Sequence, residues 1–244
     1  MTDHTRIDAL SPGTFALDGD EVEFGPGESI LQAATRAGHY IPHLCWHPDF
    51  GAKGSCRLCT VRINGRMGAA CTVQAASGQE VESNTDDLNA QRKTLLQMMF
   101  IEGNHFCPSC ERSGNCRLQA TAYDMGMVGP HFEEFYPDRQ VDASHPDLLL
   151  DLNRCILCSL CVRASSEWDH KEVFAIGGHG IRTHLLINSP SGQLGDSTLL
   201  PGDRAANICP VGAIVHKRTG FAVPIGKRRF DLRSVSDPME EGTS

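Results

Sequence analysis

This sequence of 244 residues is poor in large aromatic residues and has no long apolar stretch. It contains only two Trp and three Tyr, which does not suggest one large core. No apolar run approaches the roughly 18 residues that a membrane-spanning helix needs. The formal charge of −8 opposes general binding to nucleic acid, because such binding needs a basic surface. We therefore expect small domains, no membrane span and no nucleic-acid partner.

Motifs for nucleotide binding and for hydrolysis are missing as well. The sequence has no G-x-G-x-x-G fingerprint, no P-loop, no G-x-S-x-G elbow and no metalloprotease helix. We therefore expect no catalytic residues and no substrate site on this chain. The N-terminal residues MTDH have neither the basic nor the apolar region of a secretory signal, so we expect a cytoplasmic location and a reducing environment.

Cysteine, by contrast, is abundant. The eleven cysteines form three groups, separated by stretches without cysteine. An odd count and a reducing compartment both oppose structural disulfides, so clustered thiols of this kind indicate metal binding.

The first group consists of Cys45, Cys56, Cys59 and Cys71. Four thiolates are what a [2Fe–2S] cluster needs, and the close pair within a long loop partly matches the plant-type ferredoxin spacing. Gly51, Gly54 and Ser55 lie where backbone N–H groups could approach the sulfur atoms and help to set the reduction potential. A structural zinc site, which also accepts four cysteines, is the alternative.

The third group consists of Cys155, Cys158, Cys161 and Cys209. Its C-x2-C-x2-C run is the core of bacterial ferredoxins, in which a fourth cysteine soon follows and serves a neighbouring cluster. Ser165 occupies that position here, so no neighbouring cluster is expected at this site. Cys209, which precedes Pro210, is therefore predicted to complete a single [4Fe–4S] cluster.

The second group has three thiols only, Cys107, Cys110 and Cys116. A [4Fe–4S] cluster needs four ligands, and His105 is the nearest candidate for the fourth, with His131 in reserve. A neutral imidazole is a competent ligand to iron in such centres, and it would raise the potential by removing one negative charge. Eleven cysteines and one histidine then supply ligands for three clusters.

The pattern along the chain predicts an α+β protein of three domains. Residues 1–88 are predicted to form a [2Fe–2S] ferredoxin-like β-grasp domain. Its expected elements are strands Thr14–Leu17 and Glu21–Phe24 joined through Asp18-Gly19-Asp20, a helix from Ser29 to Gly38, and a strand over residues 60–63 ending at Asn64-Gly65.

Residues 89–143 are predicted to form a small helical domain that binds its cluster through one histidine and three cysteines. Its helix is expected to contain Leu95 and Phe100 and to end near Gly103. Residues 144–244 are predicted to form a [4Fe–4S] ferredoxin-like domain with a C-terminal tail. The expected strands of this domain are Leu148–Leu150, Val173–Ile176 and Ile181–Ile187.

Three stretches carry a resemblance to a known family: Phe100–Gln119, Asn153–Val162 and Ile208–Val235. With them, the whole chain resembles the small diaphorase subunit (HoxU type) of soluble NAD-reducing [NiFe] hydrogenases. The same three-cluster module forms the N-terminal part of the large iron–sulfur subunit of complex I, and it recurs in [FeFe]-hydrogenases. In those two relatives the ligand histidine precedes the first cysteine by four residues, whereas here the spacing is H-x-C, as in the hydrogenase diaphorase group.

The resemblance implies an electron-relay subunit of a hydrogen:NAD+ oxidoreductase. Its implied partners are a flavin subunit with FMN, where NAD is reduced, and the small and large [NiFe] hydrogenase subunits. The alternative within the same chemistry is the equivalent subunit of an NAD-dependent formate dehydrogenase or a complex I-like NADH dehydrogenase. The alternatives that are not subunits of a redox enzyme are a protein with three structural zinc sites and a free ferredoxin-like carrier.

Overall fold

The computed structural model describes residues 11–237. Contacts within the chain divide these residues into two units: residues 11–95, with which residues 236 and 237 are grouped, and Leu96–Val235. The predicted domains 89–143 and 144–244 therefore lie largely in the second unit, and the boundary between them stays a prediction. Within residues 11–237, no helix has the length and apolar character that a membrane crossing requires.

The first unit contains one sheet of five strands, ordered β2-β1-β5-β3-β4. The strands are β1 (Gly13–Leu17), β2 (Asp20–Phe24), β3 (Thr60–Ile63), β4 (Arg66–Ala69) and β5 (Glu80–Glu82). β1 pairs antiparallel with β2 and parallel with β5, and β3 pairs antiparallel with both β4 and β5. This mixed sheet, with the helix described below, confirms the predicted β-grasp fold.

Two-residue turns close both hairpins of this sheet. Asp18 and Gly19 have φ of 51° and 97°, and Asn64 and Gly65 have φ of 46° and 79°. Turns that match the twist of a hairpin need positive φ at both central residues, and Asp, Asn and Gly tolerate it best. The structure confirms both turns that the sequence predicts.

Helix α1 (Ile30–Arg36) begins with a capping box. The Ser29 hydroxyl accepts from the Gln32 backbone N–H, and the Gln32 side chain accepts from the Ser29 backbone N–H. Such a cap satisfies two backbone donors that the first turn of a helix leaves without partners. Gly38, with φ of 85°, follows the end of the helix as predicted.

The core of the first unit extends to its thiols. Phe15, Val22, Leu31 and Val61 are each no more than 2% exposed, and they belong to one packed cluster. Cys59 and Cys71 are members of that cluster. The sheet and α1 therefore hold these two thiols in place by ordinary apolar packing.

The second unit is built from short elements. Its strands are β6 (Val141–Asp142), β7 (Leu148–Asp151), β8 (Phe174–Gly177), β9 (His184–Ile187) and β10 (Ile214–His216). Helix α2 (Asp86–Glu102) includes the boundary with the first unit, and the further helices are α3 (Arg117–Asp124), α4 (Leu160–Arg163), α5 (Arg204–Asn207) and α6 (Arg229–Leu232). β10, β7 and β6 form a three-stranded sheet in that order, and β8 and β9 form a hairpin.

The predicted strand Ile181–Ile187 is too long at its start. The structure has a 3-10 turn at Gly180–Arg182, and β9 begins only at His184. Gly180 has φ of 55°, which no strand residue adopts, and the Ile181 side chain is fully exposed. The apolar character of Ile181 suggested a buried strand residue, but no packing surface covers it.

Arg92 of α2 is a buried cation that joins three segments of the first unit. It is 2% exposed, and its guanidinium donates to the carbonyl oxygens of Leu58 (3.0 Å), Thr60 (2.9 Å) and Ser83 (2.6 Å). Leu58 and Thr60 flank Cys59 in the sequence. Arg92 therefore fixes the backbone on both sides of a predicted cluster ligand.

Replacing Arg92 by Met tests this role. We expect the free energy of unfolding of the first unit to fall by at least about 2 kcal/mol, because each buried carbonyl left without a donor costs roughly 1–3 kcal/mol. The measurement is the urea midpoint of the purified chain, followed by far-ultraviolet circular dichroism.

Arg62→Met is the matched control. Arg62 forms ion pairs with Glu82 and Asp87 on the water-accessible side of the sheet, where solvent screens them. Its replacement should move the midpoint much less. Equal shifts in the two variants would contradict the role assigned to Arg92.

Candidate metal centres

The four cysteines of the third group line one cavity. Its empty volume is about 360 Å³, including the open mouth, and its walls contain Cys155, Cys158, Cys161 and Cys209. Strand pairing brings the distant member to the other three. β7 leads into Cys155 and β10 follows Cys209, and the two strands pair antiparallel with Ile214 opposite Leu150. Cys209 is therefore positioned by a sheet register that the sequence analysis did not predict.

The C-x2-C-x2-C run is tightly wound. Leu157 and Ser159 have φ of 54° and 61°, a conformation that costs non-glycine residues free energy. The backbone amides of Leu157 and Val162 favour the thiolate forms of Cys155 and Cys161, respectively, although burial outweighs them. Backbone amides directed at sulfur atoms stabilise thiolates and the cluster that they bind.

Burial keeps the thiols of Cys155 and Cys161 protonated when no metal is bound. It raises the pKa of Cys155 to about 11 and that of Cys161 well above its ordinary value. The rise has the same cause in both, namely loss of water around the charged thiolate. Iron must therefore displace protons as it binds, which is the behaviour of a metal ligand and not of a reactive surface thiol.

The second group lines a separate cavity of about 330 Å³, including its mouth. His105, Cys107, Cys110 and Cys116 all contribute to its walls. Cys107 begins a 3-10 turn (Cys107–Ser109), and Cys116 is the N-cap residue of α3, without a side-chain capping hydrogen bond. Burial raises the pKa of Cys116 to about 12.

His105 has the properties of a ligand. Its Nε2 atom is buried and has no hydrogen-bond partner among residues 11–237. Burial, and then the positive charge of Arg154, lower its pKa to about 4, so the imidazole is neutral at neutral pH. A buried, unpartnered ring nitrogen in a wall shared with three thiols fits the fourth ligand position of a cluster. His131 is exposed and lies outside this wall.

Two glycines keep space for these ligands. A Cβ atom on Gly103 would lie 2.7 Å from His105 Nε2, and one on Gly212 would lie 2.9 Å from Cys110 Sγ. Distances this short do not occur for real Cβ atoms without a shift of the neighbour. Neither glycine was singled out as a site residue from the sequence, because the requirement comes from contacts that only the folded chain makes.

The first group forms two close pairs of thiols. Cys45 Sγ and Cys56 Sγ are 3.3 Å apart, and Cys59 and Cys71 form the second pair, in which each thiol shifts the pKa of the other. Sharing a proton with Cys56 lowers the pKa of Cys45, to about 5, and raises that of Cys56. Two pairs of thiols match the demand of a [2Fe–2S] cluster for two ligands on each iron.

Backbone donors surround this first group as the sequence suggested. The Cys56 N–H donates to Cys45 Sγ at 3.4 Å, and the backbone amides of Ser55 and Gly54 help to lower the pKa of Cys45 and Cys71, respectively. Gly54 has φ of 71°, and a Cβ there would lie 3.0 Å from the Thr72 side chain. Gly54 therefore meets two requirements at once, a left-handed backbone and a close approach of the loop to the thiols.

The donor sets fit clusters better than single ions. Within residues 11–237, no three His, Cys, Asp or Glu side chains converge closely enough to hold one metal ion. The second and third groups instead surround open volumes with soft thiolate donors, which suits a polynuclear iron–sulfur centre. None of the eleven cysteines, all of which are described, is in a disulfide.

Family models match the chain in three consecutive regions. Residues 12–86 match a 2Fe-2S iron-sulfur cluster binding domain, and residues 92–131 match an NADH-ubiquinone oxidoreductase-G iron-sulfur binding region. Residues 148–216 match a 4Fe-4S single cluster domain. Each match contains all the cysteines of one of the three groups described above.

Whole-length relatives are found as well. The chain is 37% identical over 230 residues to the gamma chain of the NAD-reducing hydrogenase HoxS of Cupriavidus necator, an alignment that covers 93% of this chain and 96% of that protein. A crystal structure of NAD+-reducing [NiFe]-hydrogenase in the H2-reduced state contains a chain with a TM-score of 0.90 and 57% identity, matched over 93% of this chain and 97% of the other.

A longer relative comes from NADH-quinone oxidoreductase. Its G-type polypeptide in Rickettsia conorii is 30% identical over 222 residues, which cover 90% of this chain. The same alignment covers 32% of the Rickettsia protein, so this chain corresponds to about a third of it.

Replacing His105 by Ala tests the twelfth ligand. We expect loss of the electron paramagnetic resonance (EPR) signal of the second-group cluster and a lower iron content, because three thiolates leave one iron without a protein ligand. The measurement is iron analysis together with EPR spectra of the reduced protein. His131→Ala is the matched control and should retain both signal and iron. The reverse pattern would make His131 the ligand.

Replacing Gly212 by Ala tests the space beside Cys110. We expect less iron in the second group, because the added methyl group must displace a ligand sulfur atom, at a cost of roughly 1–3 kcal/mol. Gly202→Ala is the matched control, since a Cβ atom there meets nothing within 4 Å. Equal iron in both variants, measured by chemical analysis and EPR, would refute the steric argument.

Proposed function

Because the chain belongs to the family of the NAD-reducing hydrogenase gamma chain, we propose that it is the electron-relay iron–sulfur subunit of a hydrogen:NAD+ oxidoreductase. It carries electrons between a [NiFe] hydrogenase module and the site where FMN and NAD react. The observation that carries the proposal is the arrangement of eleven thiols and one imidazole in three groups, within a chain that matches the gamma chain over nearly its whole length.

Three clusters follow from the three donor groups. Cys45, Cys56, Cys59 and Cys71 hold one [2Fe–2S] cluster. His105, Cys107, Cys110 and Cys116 hold one [4Fe–4S] cluster, and Cys155, Cys158, Cys161 and Cys209 hold the other. The clusters supply one-electron acceptance and release, and the protein supplies ligands, backbone donors and exclusion of water.

The partners follow from the same family. A flavin subunit lies on the NAD side of the complex, and the small and large [NiFe] subunits supply electrons from hydrogen. No substrate reacts on this chain itself, so its contribution to catalysis is transfer. A cytoplasmic location is part of the proposal, because NAD and a reducing environment for the thiols are both found there.

The similarity to the Rickettsia protein favours one second candidate. The same module could serve a complex I-like NADH dehydrogenase, since 90% of this chain aligns with that component of NADH-quinone oxidoreductase. The higher identity to the gamma chain, and the near-complete coverage of both chains, favour the hydrogenase.

The decisive experiment uses the native complex, purified without oxygen through a tag on this chain. We expect hydrogen-dependent reduction of NAD+, with flavin and nickel in the same preparation. Oxidation of NADH with another acceptor, without hydrogen activity, would move the chain to the complex I-like candidate. Colourless protein that contains zinc instead of iron would reject the relay altogether.

Replacing Cys209 by Ser distinguishes a loss of electron transfer through this chain from a failure of the complex to assemble. In Cys209→Ser we expect loss of electron transfer from hydrogen to NAD+, because one [4Fe–4S] cluster lacks a ligand. Dye reduction by hydrogen and dye reduction by NADH should both persist, since each uses only one end of the complex. Arg218→Gln, at an exposed arginine paired with Asp147, is the control and should keep all three activities. Unchanged hydrogen-to-NAD+ transfer in Cys209→Ser would contradict the proposed route.

A further inference from the structure

Arg154 connects the second and third groups of donors. It directly precedes Cys155, at the end of the 3-10 turn Leu152–Arg154 that follows β7. Its side chain belongs to the wall of the other cavity, and its Nη1 atom lies 3.7 Å from Cys110 Sγ. One residue is therefore joined through its backbone to a ligand of one cluster and through its side chain to a ligand of the other.

Two carboxylates fix the guanidinium beside the sulfur atom. Nη1 donates to Glu111 Oε2 at 2.7 Å, and Nε donates to Asp151 Oδ2 at 2.9 Å. Nη1 also reaches the Gly212 carbonyl oxygen at 3.4 Å. The Arg154 side chain is 19% exposed, so water screens this charge less than it screens a surface arginine. Three anchors on three segments determine where the positive charge lies.

We propose that Arg154 is a positioning residue that raises the reduction potential of the second-group [4Fe–4S] cluster. The inference deepens the proposed function and requires of it only that the second group holds its cluster. Reduction adds a negative charge to the cluster and its thiolates. A cation that donates to a ligand sulfur atom stabilises the reduced form more than the oxidised form, so it raises the potential.

Glu111 acts in the opposite direction. It follows Cys110 in the sequence, and its carboxylate disfavours added negative charge on the neighbouring cluster. The ion pair therefore balances two effects on one cluster. Removal of Arg154 takes away a favourable charge and leaves the Glu111 carboxylate without its partner, and both changes lower the potential.

The test is a redox titration of the anaerobic complex, with each cluster followed by EPR. In Arg154→Gln we expect the equilibrium constant for reduction of the second-group cluster to fall about tenfold, which equals about 59 mV for one electron. Glu111→Gln should shift the same potential upward. Arg154→Lys keeps the charge and should retain part of the native value. The second-group signal is identified as the one that changes in His105→Cys.

A purely structural role for Arg154 would give a different result. Arg154→Gln and Glu111→Gln both break the same ion pair, so a structural role predicts the same direction of change in both. Opposite shifts support the proposal, and unchanged or parallel shifts overturn it. If Arg154→Gln loses the cluster, the Glu111→Gln variant alone decides. A higher reduction potential of the second-group cluster in that variant supports the proposal, and an unchanged potential overturns it. Arg218→Gln, an exposed arginine of the same unit, controls for the loss of any positive charge.

The result also separates this inference from the proposed function. No second-group signal in the unsubstituted complex would reject both, since Arg154 would then have no cluster to act on. A native signal whose potential stays constant in both variants would reject only the role of Arg154. Hydrogen-dependent NAD+ reduction is recorded on the same preparations and tests the parent enzyme independently.

Discussion

Desolvation of the cysteine thiols is the constraint on which the rest of this structure depends. A cluster must be kept from water, so its ligands must be buried, yet burial alone holds a thiol in its protonated form. Cys116, with a pKa raised to about 12, shows how strong this opposition is. Metal binding displaces those protons, so cluster binding and the stability of the surrounding loops are one equilibrium.

The two units satisfy that constraint differently. The first has a sheet, a capped helix and an apolar core that already includes Cys59 and Cys71, so half of its ligands are placed by ordinary packing. The second has strands of two to four residues, and its predicted ligands lie in turns, at the start of a helix or, for Cys161, within the short helix α4. Metal bound by such loops contributes free energy of folding, because the site does not exist in the unfolded chain. The second unit should therefore depend on its clusters more than the first does.

The sequence predicted what depends on local spacing. Turns at Asp18-Gly19 and Asn64-Gly65, the cap at Ser29 and the cysteine run from Cys155 follow from neighbours in the chain. Arg92, Arg154 and Gly212 could not be found in this way, because their partners are distant in sequence and are brought close only by folding. Ile181 shows the opposite error, in which an apolar residue predicted a strand although nothing packs on it.

The two [4Fe–4S] sites are chemically unequal, and that inequality bears on how electrons pass between them. In the proposed ligand set, His105 gives the second group a neutral imidazole in place of one thiolate, which favours the reduced cluster. The proposed role of Arg154 favours the reduced cluster as well, against the opposing charge of Glu111. The third group is all thiolate. Apolar side chains line both cavities, so they do not distinguish the two sites: Ile176, Leu185 and Ile214 in the third group, and Phe100, Phe106 and Leu118 in the second. An electron shared by the two should therefore reside mainly on the second-group cluster, which has the histidine ligand. The third-group cluster, with the lower potential, is then the stronger reductant. Electron transfer from the second-group cluster to the third-group cluster is therefore the uphill direction.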